Sequence, residues 1–116
     1  MQLADEALSD AKYLLQDHRL KAAANRAYYA MFHAAQAALS SVDVRPPKTH
    51  KGAINLFGRH LIKTGKLNKE YSKYLQDAYD LRQQSDYGTD VSVGEHHAEQ
   101  VLERAEAFVA EANKLI

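Results

Sequence analysis

Between Ala22 and Ser41 the chain carries one charged side chain, Arg26, in a stretch whose apolar residues recur at helical steps. Leu20, Ala24, Ala27, Tyr28, Met31, Ala35, Ala38 and Leu39 share one side of a helix over about residues 20–41. The opposite side, where a surface helix puts Lys and Glu, holds Arg26, Tyr29, His33 and Ser40, with Ala30 and Ala37 between them. A helix this apolar all round is buried all round. It needs either a central place among other helices or a second copy of the chain packed against it. Its alanines let another backbone approach closely under both arrangements.

The rest of the chain supplies helices to surround it. Leu3, Ala7, Leu8, Ala11, Leu14 and Leu15 make one apolar stripe over about residues 2–17. Pro46 and Pro47 stop any helix and force an extended turn. Thr49 is the expected N-cap of a third helix, which carries Ala53, Ile54, Phe57 and Leu61 and ends near Gly65. A fourth, over about residues 68–85, uses Tyr71, Tyr74, Leu75, Ala78 and Leu81. Residues 86–91 read as a loop, and Ser92 with Glu95 reads as a capping box for a last helix bearing Ala98, Val101, Leu102, Ala105, Phe108, Val109 and Ala112. No run alternates as a strand does, and the connections are short. The expected fold is all-α, an antiparallel up-and-down bundle of four to five helices.

Length and composition narrow the function classes. With 116 residues, the whole of 1–116 is expected to form a single helical domain. Apolar residues at 46% and charged ones at 26% exclude disorder, and no apolar run nears the roughly 18 residues of a membrane span. The N-terminus is acidic and amphipathic, unlike a signal peptide, so a cytoplasmic location is expected and no membrane. The absence of Cys excludes disulfides, thiolate zinc sites, iron–sulfur clusters and cysteine nucleophiles. His96 and His97 next to Glu95 do not make a metal-ligand spacing, so neither a metal nor a cofactor is expected.

The net charge of zero conceals a division along the chain. Residues 45–73 carry eight basic side chains against Glu70 alone, whereas residues 74–116 carry three against nine acids. The basic block, with Lys63, Lys66 and Lys69, is a candidate phosphate-binding surface for nucleic acid. It is equally a solvated face that the acidic segment neutralises, within one molecule or across a dimer. His50 and His60 lie in the same block and are further candidates for phosphate contact.

Two constellations carry candidate chemistry. Arg26 and His33 stand two turns apart on one side of the second helix, a fixed cation beside a group that exchanges protons near neutrality. Arg82 ends the fourth helix and is followed by Gln83, Gln84, Ser85, Asp86 and Tyr87, presenting a cation, a carboxylate and a phenol at one terminus. Each also has a structural explanation: a hydrogen-bonded interior pair for the first, an Arg82–Asp86 ion pair at i,i+4 for the second.

The run from Asn25 to Ala35, with its Tyr-Tyr-Ala-x-Phe-His core, resembles the signature of HEPN-domain proteins. Within them it is similar to the small stand-alone prokaryotic branch that includes uncharacterised protein family 0332. The segment from Leu81 to Tyr87 resembles that branch's second signature, an Arg followed by Asp-Tyr, and the likeness runs over about residues 3–113. It implies a helical bundle that commonly forms a homodimer and has a link to nucleotides or RNA. Many such proteins are metal-independent endoribonucleases and toxins, often encoded beside a minimal nucleotidyltransferase that acts as antitoxin. Their active motif is an Arg, four to six residues, then a His, with two motifs meeting across the dimer cleft. Arg82 matches the Arg, but the window for the His holds Tyr87 and Gly88. Arg26 and His33 fit the bare spacing from a different helix. The resemblance therefore implies a toxin-like protein acting on RNA or a nucleotide, with Arg82, Asp86 and Tyr87 lining a cleft, Arg26 and His33 close behind, and weak or missing ribonuclease activity. A non-catalytic nucleotide or RNA binder and a helical protein-interaction module are the alternatives.

Overall fold

A computed structural model describes residues 1–86 and 93–116, and of Asp86 the backbone alone. Among these residues there are five helices and no strand: α1 (Gln2–Gln16), α2 (Leu20–Ser41), α3 (His50–Phe57), α4 (Glu70–Asp86) and α5 (Glu95–Asn113). The chain is an all-α helical bundle. The wider turn Gly58–Ile62 prolongs α3, closed by a bond from the Lys63 N–H to the Gly58 carbonyl five residues back.

The ends of the helices follow from local chemistry. The Thr49 side chain accepts a hydrogen bond from the Gly52 N–H at 3.2 Å, as expected of a cap on α3. Gly65 has φ +78°, the left-handed conformation that closes the α3 extension, and the Leu67 N–H reaches back to the Leu61 carbonyl. α1 and α2 end the same way without glycine, on His18 (φ 57°) and Asp43 (φ 61°), two of the residue types that tolerate this conformation best. α4 starts at Glu70 rather than 68, because the Asn68 side chain accepts from the Glu70 N–H. α5 has Gly94 as its N-cap, so the helix begins two residues later than a cap at Ser92 would start it; Ser92 itself lies outside the described residues.

α2 is the centre of the bundle and packs against α1, α3, α4 and α5. Ala23, Ala27, Tyr28, Ala30, Met31, Ala34, Ala35 and Leu39 are all but sealed from solvent. Its lack of charge is thus accounted for within one molecule, by the first of the two arrangements the sequence allows. α1 lies against it on a row of alanines, Ala4, Ala7 and Ala11. Leu3, expected on that buried stripe, is 59% exposed, because the close approach of two alanine-lined backbones leaves the longer side chains at the edges. Phe57 and Phe108 stack at 5.1 Å and tie α3 to α5. α4 crosses this frame with two faces. One bears Tyr79 and Arg82 toward α2 and the start of α3; the other bears Tyr74, Asp77 and Asp80 along a cavity of about 300 Å³ shared with α5.

Candidate functional site

The half-buried face of α2 carries Arg26, Tyr29 and His33 at i, i+3 and i+7, so all three point the same way. α4 brings Arg82 to them. The Arg26 guanidinium lies 5.2 Å from the centre of the Tyr29 ring, and the Arg82 guanidinium lies 5.1 Å from the same centre. Arg82 is also 5.9 Å from the Tyr28 ring. Two cations from two helices therefore share one aromatic ring. Each gains from the ring's negative face, but nothing in that attraction cancels their mutual repulsion. Among the described residues no carboxylate pairs with Arg26, and its buried Nε has no hydrogen-bond partner. The Asn25 Oδ1 beside it is likewise buried without one.

An aromatic wall backs the two arginines. Tyr28 is fully buried and sits edge-on to Tyr29 at 5.6 Å, with Phe32 stacked beyond it at 6.2 Å. Tyr79 of α4 closes the far side at 5.9 Å from Tyr28, its hydroxyl accepting a hydrogen bond from Gln83 Nε2 at 2.9 Å. The wall is completed by His50, the first residue of α3. Its ring stacks on Phe32 at 4.4 Å, and its Nδ1 lies 2.6 Å from the Tyr28 hydroxyl. Burial pushes the Tyr28 phenol far above its ordinary range, a shift that Arg82 partly opposes. Burial, and then the positive charge of Arg82, push the His50 imidazole below its ordinary range. Tyr28 is thus a phenol and His50 a neutral ring at pH 7.

The structure brings together some of the residues that the sequence singles out and separates others. Arg26 and Arg82 meet over Tyr29. His33 stands at the outer edge, 6.0 Å from Tyr29 and 5.8 Å from Phe32. Asp86 is in the last turn of α4, with its side chain outside the described residues, as is the whole of Tyr87. Lys63, Lys66 and Lys69 are exposed on the connection from α3 to α4. They lie near the far end of α4, about 18 Å along its axis from Arg82 at 1.5 Å per residue. Nearer to the cluster are the exposed Lys21, which lines a small pocket with Asn25 and Arg82, and the exposed Lys48 and Lys51, two residues before and one after His50 in the chain. Among the described residues none of these lysines pairs with a carboxylate, and within the basic block Lys73 pairs with Asp77 of the acidic segment at 3.1 Å. No group of three or more His, Asp or Glu there could hold a metal ion, and no helix is long and apolar enough to cross a membrane.

Sequence reasoning placed His50 in the basic block as a candidate for phosphate contact, with nothing to single it out from His60, and missed the aromatic wall. The wall had a signal in Tyr28, Tyr29 and Phe32, whose spacing repeats on one side of α2. His50 had none, since it reaches Tyr28 across 22 residues of chain.

The molecule is thus a small α-helical domain that gathers two arginines, from α2 and α4, around one tyrosine ring. Comparison with known proteins gives the family. The model of the HEPN domain matches residues 1–115, and the chain belongs to the HEPN family. It is 39% identical to a Thermotoga maritima protein named "UPF0332 protein", over 97% of this chain and 85% of that one. It is 36% identical to a Methanocaldococcus jannaschii protein named "Putative toxin MJ0605", over the whole of this chain and 85% of that one. A second protein of that organism, "Putative toxin MJ0142", is 29% identical over 97% of this chain and 76% of its own length. The chain is therefore a HEPN-domain protein with relatives that carry the name of toxins.

Proposed function

We propose that this chain is the toxin-like half of a two-protein system and acts on RNA or a nucleotide in the cytoplasm. A minimal nucleotidyltransferase is its antitoxin partner, and the working form is a homodimer. The observation that carries the reading is the pair of guanidiniums over Tyr29. Two like charges held together from different helices, one of them without a carboxylate, make a place where an anion stabilises the protein. A phosphate fits between them, because guanidinium donors match its oxygens, and it supplies Arg26 with the anionic partner it lacks among the described residues. The Tyr29 ring beside it offers a base a surface on which to stack. The names of the two archaeal relatives support the toxin-like part. The partner and the dimer rest on the family resemblance.

Cutting RNA without a metal needs a base for the 2′-hydroxyl proton and a cation for the phosphorane. Arg82 supplies the cation, but Asp86 is too weak a base and Tyr87 too weak an acid to replace a histidine. The reading is therefore of a binder with weak or missing ribonuclease activity. The test is fluorescence anisotropy with a labelled single-stranded RNA in excess chelator. The parent is expected to bind, and Arg82→Ala to lose binding while its helical circular dichroism and melting temperature stay near the parent's. A variant that binds normally but melts far lower makes Arg82 a structural helix-end residue and removes the reading. Expression in cells, with and without a co-expressed minimal nucleotidyltransferase, tests the toxin and antitoxin parts.

A further inference from the structure

His50 enters this cluster from a third helix, and its chemistry depends on which ring nitrogen carries the proton. The hydrogen bond to Tyr28 decides that. Tyr28 is fully buried, and among the described residues its hydroxyl has one hydrogen-bond partner, His50 Nδ1 at 2.6 Å. If Nδ1–H donated to the phenol oxygen, the phenolic hydrogen would be left buried with no acceptor, at the full cost of its desolvation. The phenol therefore donates and Nδ1 accepts. A neutral imidazole that accepts at Nδ1 carries its hydrogen on Nε2. The ring is half-buried, and Nε2 has no partner among the described residues and is not among the buried unpaired atoms, so it opens to solvent. Among the described residues the groups that face the ring are Tyr28 and Tyr29 of α2 and Tyr79 and Arg82 of α4, a set with no carboxylate to draw a second proton onto it.

We propose that His50 is the third donor of the anion site, presenting Nε2–H beside Arg26 and Arg82 to an oxygen of a nucleotide phosphate. The proposal rests on the reading above that the cluster holds a phosphate, and it deepens that reading. The one histidine in the aromatic wall grips the phosphate, and its lone pair, on Nδ1, is taken up by the Tyr28 hydroxyl and is not available for the 2′-hydroxyl proton. Its lowered affinity for protons keeps the ring in this neutral donor form at pH 7. Tyr28 is a positioning residue: it fixes the tautomer and holds the ring against Phe32.

The test uses the full chain with ¹⁵N-labelled histidines, inorganic phosphate and a short oligouridylate in excess chelator. NMR of the unmutated protein at pH 7.5 is expected to show His50 as the Nε2–H tautomer, with its Nε2 resonance moving on titration with either probe. His50→Ala should weaken oligouridylate binding about tenfold, the scale of one hydrogen bond to a charged group. His50→Gln, whose amide can donate from nearly the same place but cannot serve as a base at neutral pH, should bind within about threefold of the parent, a difference below one weak hydrogen bond. An Nδ1–H tautomer in the parent overturns the proposal whatever the variants do. So does normal binding by His50→Ala while Arg82→Ala fails, a result that leaves the phosphate site standing without His50. Efficient cutting of the oligouridylate by the parent, abolished in His50→Gln, makes His50 a base and also overturns it. A parent that binds neither probe removes the site and this proposal together.

Discussion

Two arginines in this molecule lie over tyrosine rings in similar geometry and end in opposite electrical states. Arg104 of α5 is 4.7 Å from the Tyr74 ring and donates to the Asp77 carboxylate at 3.2 Å, an oxygen that Lys73 also reaches at 3.1 Å. Arg26 of α2 is 5.2 Å from the Tyr29 ring and has Arg82 for a neighbour on that ring. The first cation has a carboxylate partner, which it shares with Lys73, and ties α4 to α5. The second carries its charge next to another of the same sign. The ring attracts both guanidiniums, and their mutual repulsion works against that attraction. The contrast separates an arginine that serves the fold from one kept for something outside it. α4 has a hand in both, with Asp77 on one face and Arg82 on the other.

The sharpest way to break this contrast is to remove each arginine in turn. Arg26→Ala is expected to weaken RNA binding by roughly 10- to 100-fold, the scale of a charge-assisted contact, with little change in melting temperature. Arg104→Ala is expected to leave RNA affinity where it was and to cost about 1 kcal/mol of stability, or about 5 °C in melting temperature. Anisotropy and differential scanning calorimetry on the two variants decide it, and the opposite pattern would exchange the roles of the two arginines.

The lysines of the basic block sharpen it further. Lys63, Lys66 and Lys69 lie at the other end of α4 from Arg82, so they reach only a strand long enough to span that distance. Replacing all three with Gln should lower the slope of log affinity against log salt by about 2, at roughly 0.7 per phosphate contact on single strands. An unchanged slope across a salt series places the RNA elsewhere on the surface.

Smaller effects belong to the Tyr28–His50 bond. Tyr28→Phe removes the phenol's hydrogen and should cost about 1 kcal/mol, read as a drop of a few degrees in melting temperature. The pH dependence follows from the two shifts. His50 binds its proton less readily folded than unfolded, so its contribution to stability is complete above the ordinary histidine value of 6.5 and is lost as the pH falls below it. Tyr28 gives up its proton less readily folded than unfolded, so its contribution is complete below the ordinary tyrosine value of 10.0 and is lost as the pH rises above it. Melting curves of the parent should decline on both sides, and the alkaline decline should shrink in Tyr28→Phe. A parent whose stability is flat on the acid side would show that His50 is as exposed to solvent when folded as when unfolded.

The helices were legible because their signals are local. Apolar spacing gave α2 at Leu20–Ser41, the end of α1 fell within a residue, and Thr49 and Gly65 bounded the third helical segment. Leu3 misled because a stripe in sequence says which side of a helix is apolar but not how near its neighbour comes. Of the candidate site, Arg26 and Arg82 stood out as cations in signatures that packing did not require. The sequence held no sign that they would share a ring, or that His50 would lie beside them.

What the sequence determined by itself is the helical class, the need of a charge-poor helix for burial and the clustering of basic residues in one segment, because periodicity, capping and charge are properties of neighbouring residues. Only the tertiary structure decided which cation meets a carboxylate and which does not. That depends on which carboxylate lies within about 4 Å, the reach of an ion pair. Asp77 and Arg104 are 27 residues apart in sequence and meet at 3.2 Å. Arg26 and Arg82 meet over Tyr29 with no such partner for Arg26 among the described residues. The proton on His50 was decided in the same way, by a phenol 22 residues away that the packing of α2 leaves with one acceptor.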